Sequence, residues 1–509
     1  MKFFYLFWIA VILVSCNKSE DKPVPTKPNI IYFLADDLGY GEVGVYGQEI
    51  IKTPNMDALA NNGMLFTQHY SGAPVCAPAR YMLLTGLHSG HAFIRGNDEW
   101  KERGDVWDYE LASSNPEFEG QRPIPENTIT IGHKLKEAGY TTGLFGKWGL
   151  GAPNTEGVPN KQGFDYFFGY NCQRQAHNLY PPHLWENGQK VVLNNELVAP
   201  RTKLDSLADP YNEDSYAKYN QEDYAPKVIH DKALEFVKKN KEEPFFLYYA
   251  SPLPHLPLQV PHEDLKVYTD IFGEEEPYLG NRGYFPNRNP RATYAAMITY
   301  LDQQLGDLVA LLKELDLYEN TIIILSSDNG PTYTGGVDFE YFESSKPFQN
   351  GYGRTKGYVY EGGIRVPMIA SWPEQIEAGS TSDHISSFYD VMPTLCDIGN
   401  IDTPENIDGI SFASELLGKE QKKHEFLYWE FPSYKGQQAV RMGKWKGVRK
   451  NIFDGNLDIE LYDLENDLAE SNDLATQHPE IVKKIEEIMK QEHIPSSNDR
   501  FKFKQLGDN

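Results

Sequence analysis

Four short stretches carry residues whose types and spacing suit chemistry on an anion. The first is "VCAPARYMLLTG", Val75 to Gly86, where a cysteine stands two residues before a proline and four before an arginine. Pro78 fits a first helical position, so Cys76 is read as lying just before a helix. The N–H groups and positive dipole end there favour an anion, and Arg80, one turn on, is placed to point back at it. This local reading leaves three roles open for Cys76: thiolate nucleophile, redox thiol or inert buried cysteine. The second and third stretches, Ala35-Asp36-Asp37 and Asp328-Asn329-Gly330, each follow an apolar run. Adjacent carboxylates at a buried strand end repel unless a cation lies between them, and Asp328 with Asn329 adds oxygen ligands. An all-oxygen set selects Ca²⁺ or Mg²⁺ over zinc. The fourth stretch, "SPLPHLP", brings the imidazole of His255 after another apolar run.

The elements that position these groups are read from periodicity. "NIIYFL" (29–34), "TTGLFG" (141–146), "PFFLYYA" (244–250), "TIIILSS" (321–327) and "VPMIAS" (366–371) read as buried strands. Helices are expected between them. One starts at Thr53 with Pro54 in its first turn and Gly63 as its C-cap, and another runs from about Tyr294 to Leu317 on a leucine stripe. Alternation of this kind predicts an α/β fold with a mostly parallel sheet, and the polar clusters fall at the carboxyl ends of the strands, where such sheets bind ligands. After about residue 399 the pattern changes to "EFLYWEF", "QQAVRMGKWKGVR" and "IELYDLEND", a small antiparallel sheet, followed by the amphipathic helix "HPEIVKKIEEIMKQE". The stretch 154–224 reads as a loop-rich insertion long enough to shape a cleft.

At 509 residues with 40% apolar content the chain supports a large core, and a formal charge of −25 argues against nucleic acid as a partner. The amino terminus, with Lys2, the apolar run Phe3 to Val14 and "LVSC" ending at Cys16, reads as a secretory signal. The tetrapeptide resembles the lipobox of bacterial lipoproteins, which implies lipidation of Cys16 and attachment to a membrane through lipid alone. The expected organisation is a signal peptide (1–15), a proline-rich tether (16–27), a catalytic α/β domain (28–401) and a C-terminal α+β subdomain (402–509). Localisation is expected to be periplasmic or at the outer membrane or cell surface. Three further cysteines, Cys76, Cys172 and Cys396, make no disulfide framework, and buried free thiols are expected for the last two.

"CAPAR" followed by "YMLLTG" resembles the C-x-P-x-R-x-x-x-x-T-G signature of type I sulfatases, within the alkaline-phosphatase-like superfamily. The other blocks of that family recur in order: "ADDLGYG" (35–41), "GYTTGLFGKWGLG" (139–151), "GFDYFFGY" (163–170), "PFFLYYASPLPHLP" (244–257), "SSDNG" (326–330) and "GRTKGYVYEGGIRVP" (353–367). The resemblance covers roughly residues 28–475. It implies a large mixed, mostly parallel sheet flanked by helices, and oxidation of Cys76 to formylglycine by a maturation enzyme. It also implies a Ca²⁺ site of Asp36, Asp37, Asp328 and Asn329 faced by the modified Cys76. Arg80 then stabilises the hydrated aldehyde, Lys147 and Lys356 grip the sulfate, and His255 approaches the leaving oxygen.

That set suits a sulfate ester, whose charge must be neutralised and whose departing oxygen must be protonated. In the family mechanism one hydroxyl of the aldehyde hydrate attacks sulfur and the second expels sulfate, which a serine has no group to do. One departure stands out. Many members read Gly-Lys-Trp-His where this chain has Gly146-Lys147-Trp148-Gly149, so His177 of "QAHN" is expected to supply the missing imidazole or to bind substrate beside it. The blocks "GKWGLG" and "QAHN" look like a subgroup acting on N-acetylgalactosamine or galactose sulfates. The expected partner is therefore a sulfated oligo- or polysaccharide, with Arg174, Arg354 and Trp429 as glycan contacts. Two rival readings are a phosphonate or phosphate ester hydrolase of the same superfamily, and a surface glycan-binding lipoprotein without catalysis.

Overall fold

The computed structural model describes residues 27–509, so the leader and Cys16 lie outside the described residues. Five strands form the centre of a ten-stranded mixed sheet: β1 (Asn29–Ala35), β2 (Thr141–Lys147), β3 (Phe245–Ala250), β4 (Thr321–Ser327) and β5 (Met368–Ser371). They lie side by side in the order β5-β4-β1-β3-β2, with β4, β1, β3 and β2 parallel and β5 antiparallel to β4. Every residue of β1 is buried because the sheet is covered on both faces. Alternation along the strand divides its side chains between two cores. Ile31 and Phe33 pack with Leu301, Leu305 and Leu308, whereas Ile30, Tyr32 and Leu34 pack with Met82, Leu83 and Leu395.

Of the helices that supply those faces, the first begins where its cap predicts and the next two begin earlier than the sequence pattern suggests. The helix α1 (Pro54–Asn61) carries Pro54 in its first turn but closes on Asn62, one residue before Gly63. The next, α2 (Cys76–Thr85), starts at Cys76 itself with Val75 as N-cap, so Pro78 occupies its third position. The long α3 (Pro290–Glu314) begins four residues before Tyr294, the expected start, because Pro290 after Asn289 starts the first turn. The insertion is more ordered than a loop, since Tyr166–Tyr170, His183–Glu186 and Gln189–Val192 extend the sheet beyond β2.

The C-terminal strands β6 (Leu427–Phe431), β7 (Gln437–Met442), β8 (Trp445–Lys450) and β9 (Glu460–Asp463) form one antiparallel sheet in sequence order. One face packs on the body through Tyr70, Val75, Tyr360 and Trp429, and the other on α4 (Pro479–Glu492) through Tyr428, Val440, Ile485 and Met489. Burial on both faces hides all five residues of β6. Cys172 and Cys396 are buried free thiols.

Candidate active site

The parallel strands deliver their polar ends to one place. Asp36 and Asp37 follow β1, Lys147 ends β2, Asp328 and Asn329 follow β4, and His255 lies five residues beyond β3. Cys76, at the first turn of α2, points its thiol among them and is fully buried. The S–H donates to Asp36 Oδ1 at 3.3 Å, with Asp37 Oδ1 at 4.0 Å and Lys356 Nζ at 3.6 Å from the sulfur. Burial, with Asp328 and Asp36 nearby, pushes the thiol well up, so the unmodified sulfur stays protonated and is a poor nucleophile.

Three cations oppose three carboxylates around the sulfur. Lys147 Nζ donates to Asp36 Oδ2 at 2.5 Å, Lys356 Nζ to Asp37 at 2.6 and 2.7 Å, and Arg80 Nε to Asp328 Oδ2 at 2.9 Å. A further bond, from Arg80 Nη1 to the Lys147 carbonyl at 2.7 Å, ties α2 to the end of β2. Burial alone would raise Asp36, but Lys147, His255, Arg80 and Lys356 hold its carboxyl below the usual range. Asp328 behaves oppositely, raised to about 7 by burial and by Asp36. One cluster therefore holds carboxylates of unequal basicity.

Some ligating capacity is left over. Asn329 Nδ2 donates to Asp37 Oδ1 at 2.8 Å, while its Oδ1 is buried and has no partner among the described residues. Asp37 adopts φ of +67°, a strained backbone held by its bonds to Lys356 and Asn329. His255 Nδ1 bonds the Leu256 carbonyl at 2.6 Å, which fixes the tautomer and leaves the Nε2 lone pair facing Asp37 Oδ2 at 3.8 Å. Two electron-rich atoms facing each other, with an orphaned amide oxygen alongside, are what a cation site requires. Asp36, Asp37, Cys76 and His255 offer ligand atoms close enough to share one ion. The residues present fit a divalent metal.

His177 lies against this centre, its ring stacked on that of His255 at 5.1 Å and 13°. Burial, the other imidazole and the two lysines push His177 well below the ordinary histidine range; burial and Lys356 do the same to His255. In both rings the charged form is disfavoured. Tyr284, which no sequence signal marked, sits edge-on to His177 at 5.3 Å and to His255 at 5.9 Å. Gln173 was missed as well. A Cβ built on Gly149 would lie 3.1 Å from its Oε1, so this amide occupies the space beside the position where a histidine is absent.

The three residues expected to touch glycan fall in different places. Trp429 is a correction: it is fully buried, packed in the C-terminal core and donating its indole N–H to the Ser71 carbonyl at 2.8 Å, so it offers no face to a sugar. Arg354 lies over the Tyr360 ring at 4.0 Å and donates to the Glu470 carbonyl at 3.2 Å, engaged at the junction with the C-terminal sheet. Arg174 is one turn from His177 and buried.

A model of the family described as sulfatase matches residues 28–401, a span that contains every member of the cluster. The chain belongs to the sulfatase family. A second model, described as the C-terminal region of N-sulphoglucosamine sulphohydrolase, matches residues 352–494 of this sulfatase. Among curated relatives, an N-acetylgalactosamine-6-O-sulfatase of Bacteroides thetaiotaomicron is 28% identical over 94% of this chain and 96% of its own. Human arylsulfatase A is 31% identical, covering 83% and 75%. The crystal structure of Ps i-CgsB in complex with k-i-k-neocarrahexaose superposes with a TM-score of 0.72 at 27% identity, covering 92% and 94%. The enzyme is a sulfuric ester hydrolase built on the fold those sulfatases share.

Proposed function

We propose that this sulfatase removes sulfate from galactose or N-acetylgalactosamine residues of a sulfated glycan, using formylglycine made from Cys76 and a Ca²⁺ ion. The reading is carried by one observation: a buried cysteine enclosed by Lys147, Lys356, Arg80 and three carboxylates, with metal-ligating capacity left over at Asn329 and Asp37. Support for a glycan comes from the N-acetylgalactosamine-6-O-sulfatase relative and from the oligosaccharide named in the Ps i-CgsB structure.

Asp36, Asp37, Asp328 and Asn329 would hold the metal, which supplies positive charge beside the transferring group. Formylglycine supplies, as its hydrate, the oxygen nucleophile that the protonated thiol cannot. The chain's own residues do the rest. Lys147 and Lys356 draw the sulfate oxygens toward the sulfur position, and Arg80, fixed to Asp328 and the Lys147 carbonyl, holds the α2 turn in line. Burial and the lysine charges both disfavour a proton on His255, and an arriving anion opposes the lysine part, which favours a proton on Nε2 for the departing alcohol. His177, stacked on His255, is the candidate base or sugar contact in place of the histidine that Gly149 lacks.

Export as a lipoprotein acylated at Cys16 belongs to the same proposal, supported by the "LVSC" segment. The deciding experiment is the mass of the Cys76 peptide from protein made with a maturation enzyme, followed by sulfate release from N-acetylgalactosamine 6-sulfate, carrageenan oligosaccharides and a phosphonate ester. An aldehyde or its hydrate with sulfate release is the expected result. An unmodified thiol, or turnover of the phosphonate alone, overturns the reading.

A further inference from the structure

Arg174 is 5% exposed, and its Nε, Nη1 and Nη2 are buried without a hydrogen-bond partner among the described residues. Arg80, equally buried, is engaged by Asp328 and the Lys147 carbonyl. An isolated guanidinium taken out of water costs several kcal/mol, roughly, unless an anion compensates it. Among the described residues no carboxylate forms an ion pair with it; its charge neighbour is the buried Glu99, whose carboxyl burial raises to about 7 although Arg174 pulls it down. The remaining contact is the Trp107 ring, 5.3 Å from the guanidinium carbon and half exposed.

The place is adjacent to the reactive centre from two sides. Asn97 Oδ1, two residues before Glu99, accepts the Ala77 N–H at the first turn of α2. The loop carrying Arg174 is bonded through the Asn171 carbonyl to Gly149 and ends at His177, which stacks on His255. Asn171 Oδ1, Gln173 Oε1 and both amide atoms of Gln175 are also buried without partners. Unused donors and acceptors thus share the loop that carries Arg174 and His177.

We propose that Arg174 binds a second anionic group of the substrate, a sulfate or carboxylate on the sugar bearing the scissile sulfate or on its neighbour, with Trp107 as the cover it displaces. The site's preferred substrate is then a saccharide with at least two charges. A neutral hydroxyl would take one of five N–H donors and leave the charge buried, whereas an anion takes a parallel pair and neutralises it. The three cations around Cys76 face carboxylates of their own, so none of those carboxylates serves Arg174.

This deepens the proposed function and rests on it, so the test reads binding as well as turnover. Wild type, Arg174→Gln and Arg174→Lys are assayed for kcat/KM on N-acetylgalactosamine 6-sulfate, its 4,6-disulfate, and a disaccharide joining the 6-sulfated sugar to a uronate. The wild type is expected to favour a doubly charged probe by about 30-fold, Arg174→Gln to reduce that ratio to about threefold or less, and Arg174→Lys to keep an intermediate ratio. Preference for the disulfate identifies a second sulfate as the ligand, and preference for the uronate identifies a carboxylate. A wild-type ratio near one, or a glutamine variant slowed in equal proportion on all three probes, overturns the inference. Calorimetry of the disulfate with Cys76→Ala, alone and combined with Arg174→Gln, separates the two claims. Binding that depends on Arg174 without sulfate release from any probe sinks the proposed function and keeps this inference. Sulfate release with binding indifferent to Arg174 does the reverse.

Discussion

Two buried charge clusters lie in this molecule, and only one has the makings of a reaction centre. Beneath the C-terminal sheet, Lys446 bonds Glu361 at 2.9 Å and Glu470 at 2.9 Å, while Glu361 also takes the Arg365 guanidinium at 3.1 Å and the Tyr70 hydroxyl at 2.7 Å. Around Cys76 the ion pairs are as short, yet an amide oxygen is orphaned, an imidazole lone pair faces a carboxylate, and the sulfur makes only long contacts. Burial and charge are common to both. An oxygen with neither a hydrogen bond nor an ion pair is what separates them: Glu470 Oε1 also lacks a hydrogen bond but faces the Lys446 ammonium at 2.9 Å, whereas Asn329 Oδ1 has no such cation.

Substitutions can break that contrast or sharpen it. Cys76→Ala should lower kcat by about 10⁴-fold or more in a protein that melts where the wild type does, measured by sulfate release and calorimetry. Lys446→Ala leaves Glu361 and Glu470 buried together and should cost about 3–5 kcal/mol of unfolding free energy in denaturant titration, with kcat/KM of the folded enzyme unchanged. Lys147→Ala should lower kcat by about 10²–10³-fold, with less loss of stability than Lys446→Ala when Ca²⁺ is supplied. Adding Ca²⁺ to chelated protein at a hundredfold excess over its Kd should raise stability by about 2.7 kcal/mol. That gain should survive Lys446→Ala and shrink in Asn329→Ala. The smallest effect belongs to His177→Ala, about tenfold or somewhat more in kcat, and an unchanged rate would remove His177 from the chemistry.

Much of the site was legible because its residues sit at the ends of strands that announce themselves. "TIIILSS" is a seven-residue strand ending where Asp328 begins, and "NIIYFL" extends by one residue to meet Asp36. Positions carried by loops were less so. Nothing local marks Tyr284, and Gln173 becomes visible only when the space beside Gly149 is inspected. Trp429 misled for a different reason. Its strand is covered by the body on one face and α4 on the other, so the polar alternation of a half-exposed sheet is missing and a core aromatic looks like a recognition residue. The start of α2 was placed too late because Pro78 fits any first-turn position, not the first alone.

Cys76 has no exposed surface in the folded chain, and two of its neighbours, Asp328 and Lys356, come from more than 250 residues downstream. Until β4 and the segment bearing Lys356 have docked, that sulfur is open to the outside; afterwards it is sealed behind them. The proposed conversion of Cys76 by another protein would therefore have a deadline, set by the moment the chain closes. On that proposal, the wall that shelters the reactive atom dates its making to the life of the chain before it folds.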